Sequence, residues 1–238
     1  RNLWLEFSTH RWVAMPLVLA LIFFTVSQMA DDHVEASLGM AAYALYFLLI
    51  KIWGGNKAAS SVIEEVNDNT WDFQKLSALS PWELTVGKLF GSTSYAWYGG
   101  VMVFVVMAYA LFAVSDNPHD AFISAALVLL SGLIVHAGSL LASLTMVQNK
   151  LGAHNKLRPL LPHAFGLFVG GMMSATVFSN FADTSRTTYK SYQSTTPHEV
   201  SWFGAHLASA DFMLDTSAII LAWLVTKKYW QMRAQMTI

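Results

Sequence analysis

The chain has no cysteine and very little charge. Without thiols, disulfides, thiolate nucleophiles and cysteine-ligated zinc or iron–sulfur centres are excluded. Charged residues make up 12% of the 238 positions, about half the usual share of roughly 25%. A soluble monomer with so few charges could not cover its surface, which sets aside a disordered chain, a nucleic-acid binder and an ordinary cytosolic enzyme. The formal net charge of −1 supplies no field to steer a polyanion. A nucleotide-binding P-loop is also missing. Its phosphate cradle needs G-x-x-x-x-G-K-[ST], but Gly87-Lys88 is followed by Leu89, and Trp82 stands where the first glycine belongs. No Ser/His/Asp, zinc-helix, paired-carboxylate or Rossmann pattern stands out, so no catalytic and no metal-ligating set is assigned. Gly/Ser linkers, low-complexity tracts and fixed-period repeats are absent too, and residues 1–238 read as one domain.

Apolar runs are what the chain has in abundance. A spanning helix needs about 20 mostly apolar residues, and six segments qualify: about 12–30, 36–53, 89–114, 121–147, 162–181 and 204–226. Gly54-Gly55 is read as the stop of the second span, and the sixth, whose strongly apolar core is short, starts near Phe203. The fold class is therefore all-α, a polytopic membrane protein with six transmembrane helices. The first span is too long for a signal peptide and no A-x-A-like site follows it. With both termini cytoplasmic, 12 of the 14 Lys and Arg fall inside, Lys51, Lys88 and Lys228 among them, leaving only Arg186 and Lys190 outside. That is the expected positive-inside asymmetry. Trp4, Trp12, Trp53, Trp82, Trp202 and Trp230 sit near span ends as an interfacial belt. Arg1 is not expected to be the natural start.

Two longer connections remain, 54–88 inside and 182–203 outside. In the inner one, Val62, Val66, Phe73, Leu76 and Leu79 recur at three- and four-residue steps, with Glu64, Glu65, Asp68, Asp72 and Lys75 between them. This is an amphipathic pattern for helix lying at the cytoplasmic face. Asn67-Asp68-Asn69 interrupts it. Ser80-Pro81-Trp82-Glu83 then opens a helix with Ser80 at the cap, Pro81 in the first turn and Glu83 closing a capping box, leading straight into span three. Five acids against three bases suit a protein partner better than anionic lipid.

The run Thr70-Trp71-Asp72-Phe73-Gln74-Lys75-Leu76-Ser77-Ala78-Leu79-Ser80-Pro81-Trp82-Glu83-Leu84-Thr85-Val86-Gly87-Lys88 resembles the cytoplasmic segment of ABC-2 type transporter permeases. In that family an acidic amphipathic stretch, a threonine-led helix and a proline-bearing turn precede a Gly-Lys pair that opens the third span. Six spans, inner termini, an amphipathic N-terminal stretch (Asn2 to Arg11) and an outer helical segment before span six fit the resemblance, although Trp71-Asp72 departs from the usual small or aliphatic residue followed by glutamate. The resemblance implies a multi-pass permease subunit of the bacterial inner membrane, a homo- or heterodimer with a second permease chain. It would be driven, in export, by a separate ABC ATPase subunit that holds the ATP and Mg, with no cofactor in this chain. It implies Glu64, Glu65, Asp72, Lys75, Pro81, Gly87 and Lys88 as ATPase-coupling residues, on a rigid lever fused to span three.

Eight histidines raise a second reading, a membrane-anchor or haem b-binding subunit of a redox complex. That needs two histidines at matching depth. Only His136 lies near a span centre, and His163 and His206 are placed at other depths. A non-transporting scaffold is a third reading. His136, Asp211 and Asp215 are the intramembrane polar candidates. Gly166, Gly170 and Ser174 form a small-residue stripe for close packing, within the bundle or across a dimer.

Overall fold

The computed structural model describes residues 9–30, 33–71, 73, 80–149, 158–171, 199–202 and 205–236. The architecture is helical. Helix α1 spans Thr9–Met29, and α2 spans Val34–Asn67, with a π-helical stretch at Phe47–Gly54 inside it. Helix α3, Pro81–Val86, continues into a second π-turn, Gly87–Gly91. Helices α4 (Ser94–Val114), α5 (Pro118–Asn149) and α6 (Leu160–Gly171) follow. A hairpin of β1 (Glu199–Trp202) and β2 (Ala205–Ala208), antiparallel with Glu199 opposite Ala208, precedes α7 (Ser209–Met236).

Helices α1, α2, α4 and α5 are long and apolar enough to cross a membrane. Their outward faces agree with that. Leu17, Leu21 and Phe24 on α1, and Val101, Val105 and Phe112 on α4, are large, apolar and exposed. In water such a belt would be an aggregation surface; in a bilayer it is the lipid face. Trp12, Trp53, Tyr95 and Tyr98 gather at one end of the bundle, with ring centroids 4.7 to 6.2 Å apart, as interfacial aromatics do.

Helix α5 is the hub. It packs against α2, α6 and α7 and has the largest share of buried residues among the four candidate spans. The small-residue stripe works inside the bundle. A Cβ on Gly166 would collide with Ser139, and one on Gly170 would come within 2.7 Å of the Ser131 carbonyl, so both glycines let α6 lie against α5. Ser174 lies outside the described residues.

Three expectations need correcting. Gly54-Gly55 does not stop the second span, and α2 runs unbroken to Asn67. Its 34 residues reach about 51 Å, well beyond the roughly 30 Å hydrocarbon core. Glycine is helix-weakening by only about 1 kcal/mol, and here tertiary packing outweighs it: Cβ atoms at Gly54 and Gly55 would press on the rings of His136 and His163 at 2.5 and 2.9 Å. Residues 55–67 are amphipathic as expected, but they continue α2 and turn their apolar side onto the bundle, with Asn56 and Glu64 exposed. Ala58, Ala59, Val62 and Ile63 are buried, and the latter two share a core with Leu140 and Leu144 of α5. Second, the helix after Pro81 does not run straight into span three, because Ser92-Thr93 breaks it before α4 begins. Third, residues 205–208 are strand, so the sixth helix begins at Ser209 rather than near Phe203. Of the fifth predicted span, 172–181 lies outside the described residues.

Candidate coupling site

The connection between α2 and α3 is built from local signals. Helix α2 ends at Asn67 in a Schellman turn. Asn69 takes φ 56°, its N–H donates to Val66 O (3.2 Å), and Thr70 N–H donates to Glu65 O (2.8 Å). Asparagine is among the few residues that tolerate this left-handed position. Helix α3 starts as its sequence dictates. Ser80 N–H donates to the Glu83 carboxylate (2.8 Å), Glu83 N–H donates to Ser80 Oγ (3.2 Å), and Pro81 occupies the first turn. Hydrogen bonding of the Glu83 carboxylate to the Ser80 backbone N–H and to the Ser80 side chain holds the carboxyl below its ordinary value.

Two buried lysines then tie α3 to the bundle. Lys88 pairs with the Glu65 carboxylate, donates to Ser61 O (3.1 Å) and lies 5.7 Å from the Trp71 ring centroid. Both Glu65 and Ser61 belong to α2, so this network joins the π-turn after α3 to the second span. From the other side, fully buried Lys228 of α7 donates to Thr85 O (3.1 Å). Leu84, Leu89 and Trp71 share the apolar core with Leu140, Leu144 and Leu224. The short helix is thus fixed by α2, α5 and α7 together. For a buried lysine, carbonyls and a ring stand in for the water it has lost.

The predicted coupling residues divide. Glu64 is exposed and Glu65 half-buried in its pair with Lys88. Pro81 is half-buried, Gly87 is exposed and Lys88 is buried. Asp72 and Lys75 lie outside the described residues, and neighbouring Phe73 is 75% exposed. Lys88 and Glu65 are therefore internal struts, whereas Glu64 and Phe73 face outward.

His136 is fully buried. Its Nε2 bonds Ile50 O (2.8 Å), the carbonyl that also accepts the Gly55 N–H in the π-stretch, so Nε2 carries the proton. The ring lies edge-on to Trp97 at 5.4 Å. The expected mismatch in depth with His163 does not hold. Adjacent Gly54 and Gly55 abut His136 and His163, which puts both rings at one level, about 30 Å along α2 from Val34. Asp211 sits half-buried in the first turn of α7, where a carboxylate complements the helix dipole, and Asp215, one turn on, is exposed.

Sequence reasoning missed Lys51, Lys228, Thr85 and His163. Lys51 is fully buried, its Nζ 5.5 Å and 5.8 Å from the Phe47 and Tyr43 rings. A lone lysine inside FLLIKIW was the available signal for it. Lys228 carried none, since it stands beside Lys227 in what reads as a wet basic pair.

Among family models, curated proteins and solved structures, none matches this chain.

Proposed function

We propose that this membrane protein is the permease subunit of an ATP-driven ABC-2 type transporter. It crosses the bacterial inner membrane with both termini cytoplasmic, pairs with a second permease chain, and takes its force from a separate ATPase subunit that binds ATP and Mg. One observation carries the reading: the described ends of the segment between the second and third spans are built, with the capping box at Ser80–Glu83, a brace from Lys88 to α2 and a brace from Lys228 of α7 to Thr85. A connection that only crossed between spans would need neither brace. Force applied at Glu64 on α2 or at α3 would pass among α2, α3 and α7 through the Lys88 ion pair and the Lys228 hydrogen bond. The docking surface in this reading is the exposed pair Glu64 and Phe73, braced by Glu65 and Lys88; Pro81 and Gly87 belong to the adjoining α3 and its π-turn, and Asp72 and Lys75 lie outside the described residues. Export is the direction the family resemblance implies.

The test is affinity purification of the tagged full chain from its own host's membranes. A P-loop ATPase should co-purify and hydrolyse ATP. Glu64→Lys combined with Phe73→Ala should release it while leaving the melting midpoint of the chain unchanged. A wild-type preparation that retains no ATPase, or a double variant that retains it fully, refutes the proposal. A haem Soret band in the same preparation would transfer support to the redox-anchor reading.

A further inference from the structure

The two π-turns flank the coupling region, and they are built in opposite ways. Across Phe47–Gly54 every small residue is under load. Gly54 and Gly55 abut His136 and His163, Ile50 O is held by His136, and the Ile50 side chain fills the space that Cβ atoms on Gly100 and Gly132 would occupy. This turn is welded to α4, α5 and α6.

The turn at Gly87–Gly91 buries Lys88 and Leu89 but is open at its two glycines. A Cβ added to Gly87 or to Gly91 would meet nothing within 4 Å, and neither residue has the positive φ that would call for glycine. Alanine would fit at both and favour helix. Glycine here has no packing reason, and what it does supply is backbone freedom. Just after it, three successive hydroxyls take over carbonyls of the disrupted ladder. Ser92 Oγ donates to Lys88 O (2.7 Å), Thr93 Oγ1 to Leu89 O (2.6 Å) and Ser94 Oγ to Gly91 O (3.2 Å). Side-chain donors of this kind let a spanning helix bend without exposing bare carbonyls to lipid.

We propose that Gly87–Ser94 is a hinge. About it, α3 and the end of α7 bonded to it through Lys228 swing relative to α4, and the Lys88–Glu65 pair is the latch that holds the closed position. π-turns recur at functional joints, and hinges are commonly a few element-terminal residues that absorb the backbone change. The inference concerns motion within this chain and stands apart from the identity of whatever drives it.

Because the chain has no cysteine, introduced cysteines are unique labelling sites. Spin labels at Trp82→Cys and Val105→Cys, both exposed, span the hinge; labels at Ala44→Cys and Glu64→Cys, also exposed, span the welded turn. Double electron–electron resonance on the full chain in lipid nanodiscs should give a broad or two-component distance distribution for the first pair and a narrow one for the second. Gly87→Ala with Gly91→Ala should collapse the first distribution to one component and raise the melting midpoint, by about 2–4 °C per substitution. Lys88→Met, which releases the latch and leaves the hinge glycines in place, should broaden it further. A first distribution as narrow as the second overturns the proposal, as does one indifferent to the alanines. A midpoint lowered by the alanines overturns it too, because the glycines would then be structural.

Discussion

Replacing Lys88 by methionine isolates the strut on which the coupling site depends. Methionine keeps most of the apolar stem against Trp71 and deletes the charge. Lys88 is buried and Glu65 keeps about a quarter of its side-chain surface, at 24%. Breaking a fully buried pair costs about 3–5 kcal/mol because the surviving charge is stranded, and an exposed pair contributes about 0.2–1 kcal/mol. The Glu65 side chain is partly exposed although the Oε2 that pairs with Lys88 is buried, so the single variant should fall between these limits, at about 2–3 kcal/mol. Glu65→Gln leaves Lys88 its bond to Ser61 O and its place beside the Trp71 ring, so its cost is smaller, about 1–2 kcal/mol. In the double variant no charge is stranded, and its cost should be close to that of Lys88→Met alone. The coupling energy is then about 1–2 kcal/mol, within the range for residues in direct contact. The assay is reversible unfolding of the full chain in mixed micelles, followed by tryptophan fluorescence, to which Trp71 contributes directly. Additive costs, agreeing with the sum to within about 0.5 kcal/mol, would refute the strut. So would a Lys88→Met variant as stable as wild type, which would return Lys88 to the docking surface.

Two further outcomes use the same unfolding measurement. Gly166→Ala drives a Cβ into the Val135 carbonyl (2.5 Å) and the Ser139 amide (2.8 Å), which are backbone and cannot yield, whereas Gly171→Ala enters open space; the first should lose about 1–3 kcal/mol and the second gain up to about 1 kcal/mol, and equal effects would refute the packing argument. Glu83 has its carboxyl lowered by the two Ser80 bonds, so its contribution is complete above the unfolded value of 4.5 and fades as pH falls through the lower folded value. The midpoint difference between wild type and Glu83→Ala should therefore be present at neutral pH and shrink in acid, and a difference that grows in acid would contradict the capping box.

What could be read from the chain divides by range. Features set by neighbours within four residues were legible. The runs predicted at 12–30 and 121–147 correspond to α1 at Thr9–Met29 and α5 at Pro118–Asn149, and the Ser80–Glu83 capping box forms as its spacing dictates. The break at Asn67–Asn69 is there as well, because asparagine is the residue that a left-handed helix end admits most readily after glycine. What depended on distant partners was not legible. Gly54-Gly55 looks like a stop until His136 and His163 close around it, and those residues are about 80 and 110 positions away. Lys88 finds Ser61 across 27 residues and Lys228 finds Thr85 across 143. The strands Glu199–Trp202 and Ala205–Ala208 are four residues each, too short to stand out beside the apolar helix that follows.

The lysines show why the topology argument and the site argument can use the same residues. Lys51, Lys88 and Lys228 count toward the positive-inside bias expected from the sequence, yet in the folded chain all three are buried in protein. The charge bias orients spans while the chain inserts, before tertiary contacts exist to bury anything, so a lysine destined for the interior still contributes to orientation. Once folded, its ammonium needs new partners, because an uncompensated charge in the bundle would cost several kcal/mol. Lys88 finds Glu65, the Ser61 carbonyl and the Trp71 ring; Lys228 finds the Thr85 carbonyl; Lys51 lies beside Tyr43 and Phe47. Two of the three converge on the turn after α3 and on α3 itself, the shortest α-helix among the described residues. At about 6 residues it could not hold its place by its own hydrogen bonds, since isolated helices below roughly 12–15 residues are marginal. Its position is set by lysine contacts to two different helices, and removing either should loosen the segment from α2 or from α7 while leaving it attached to the other.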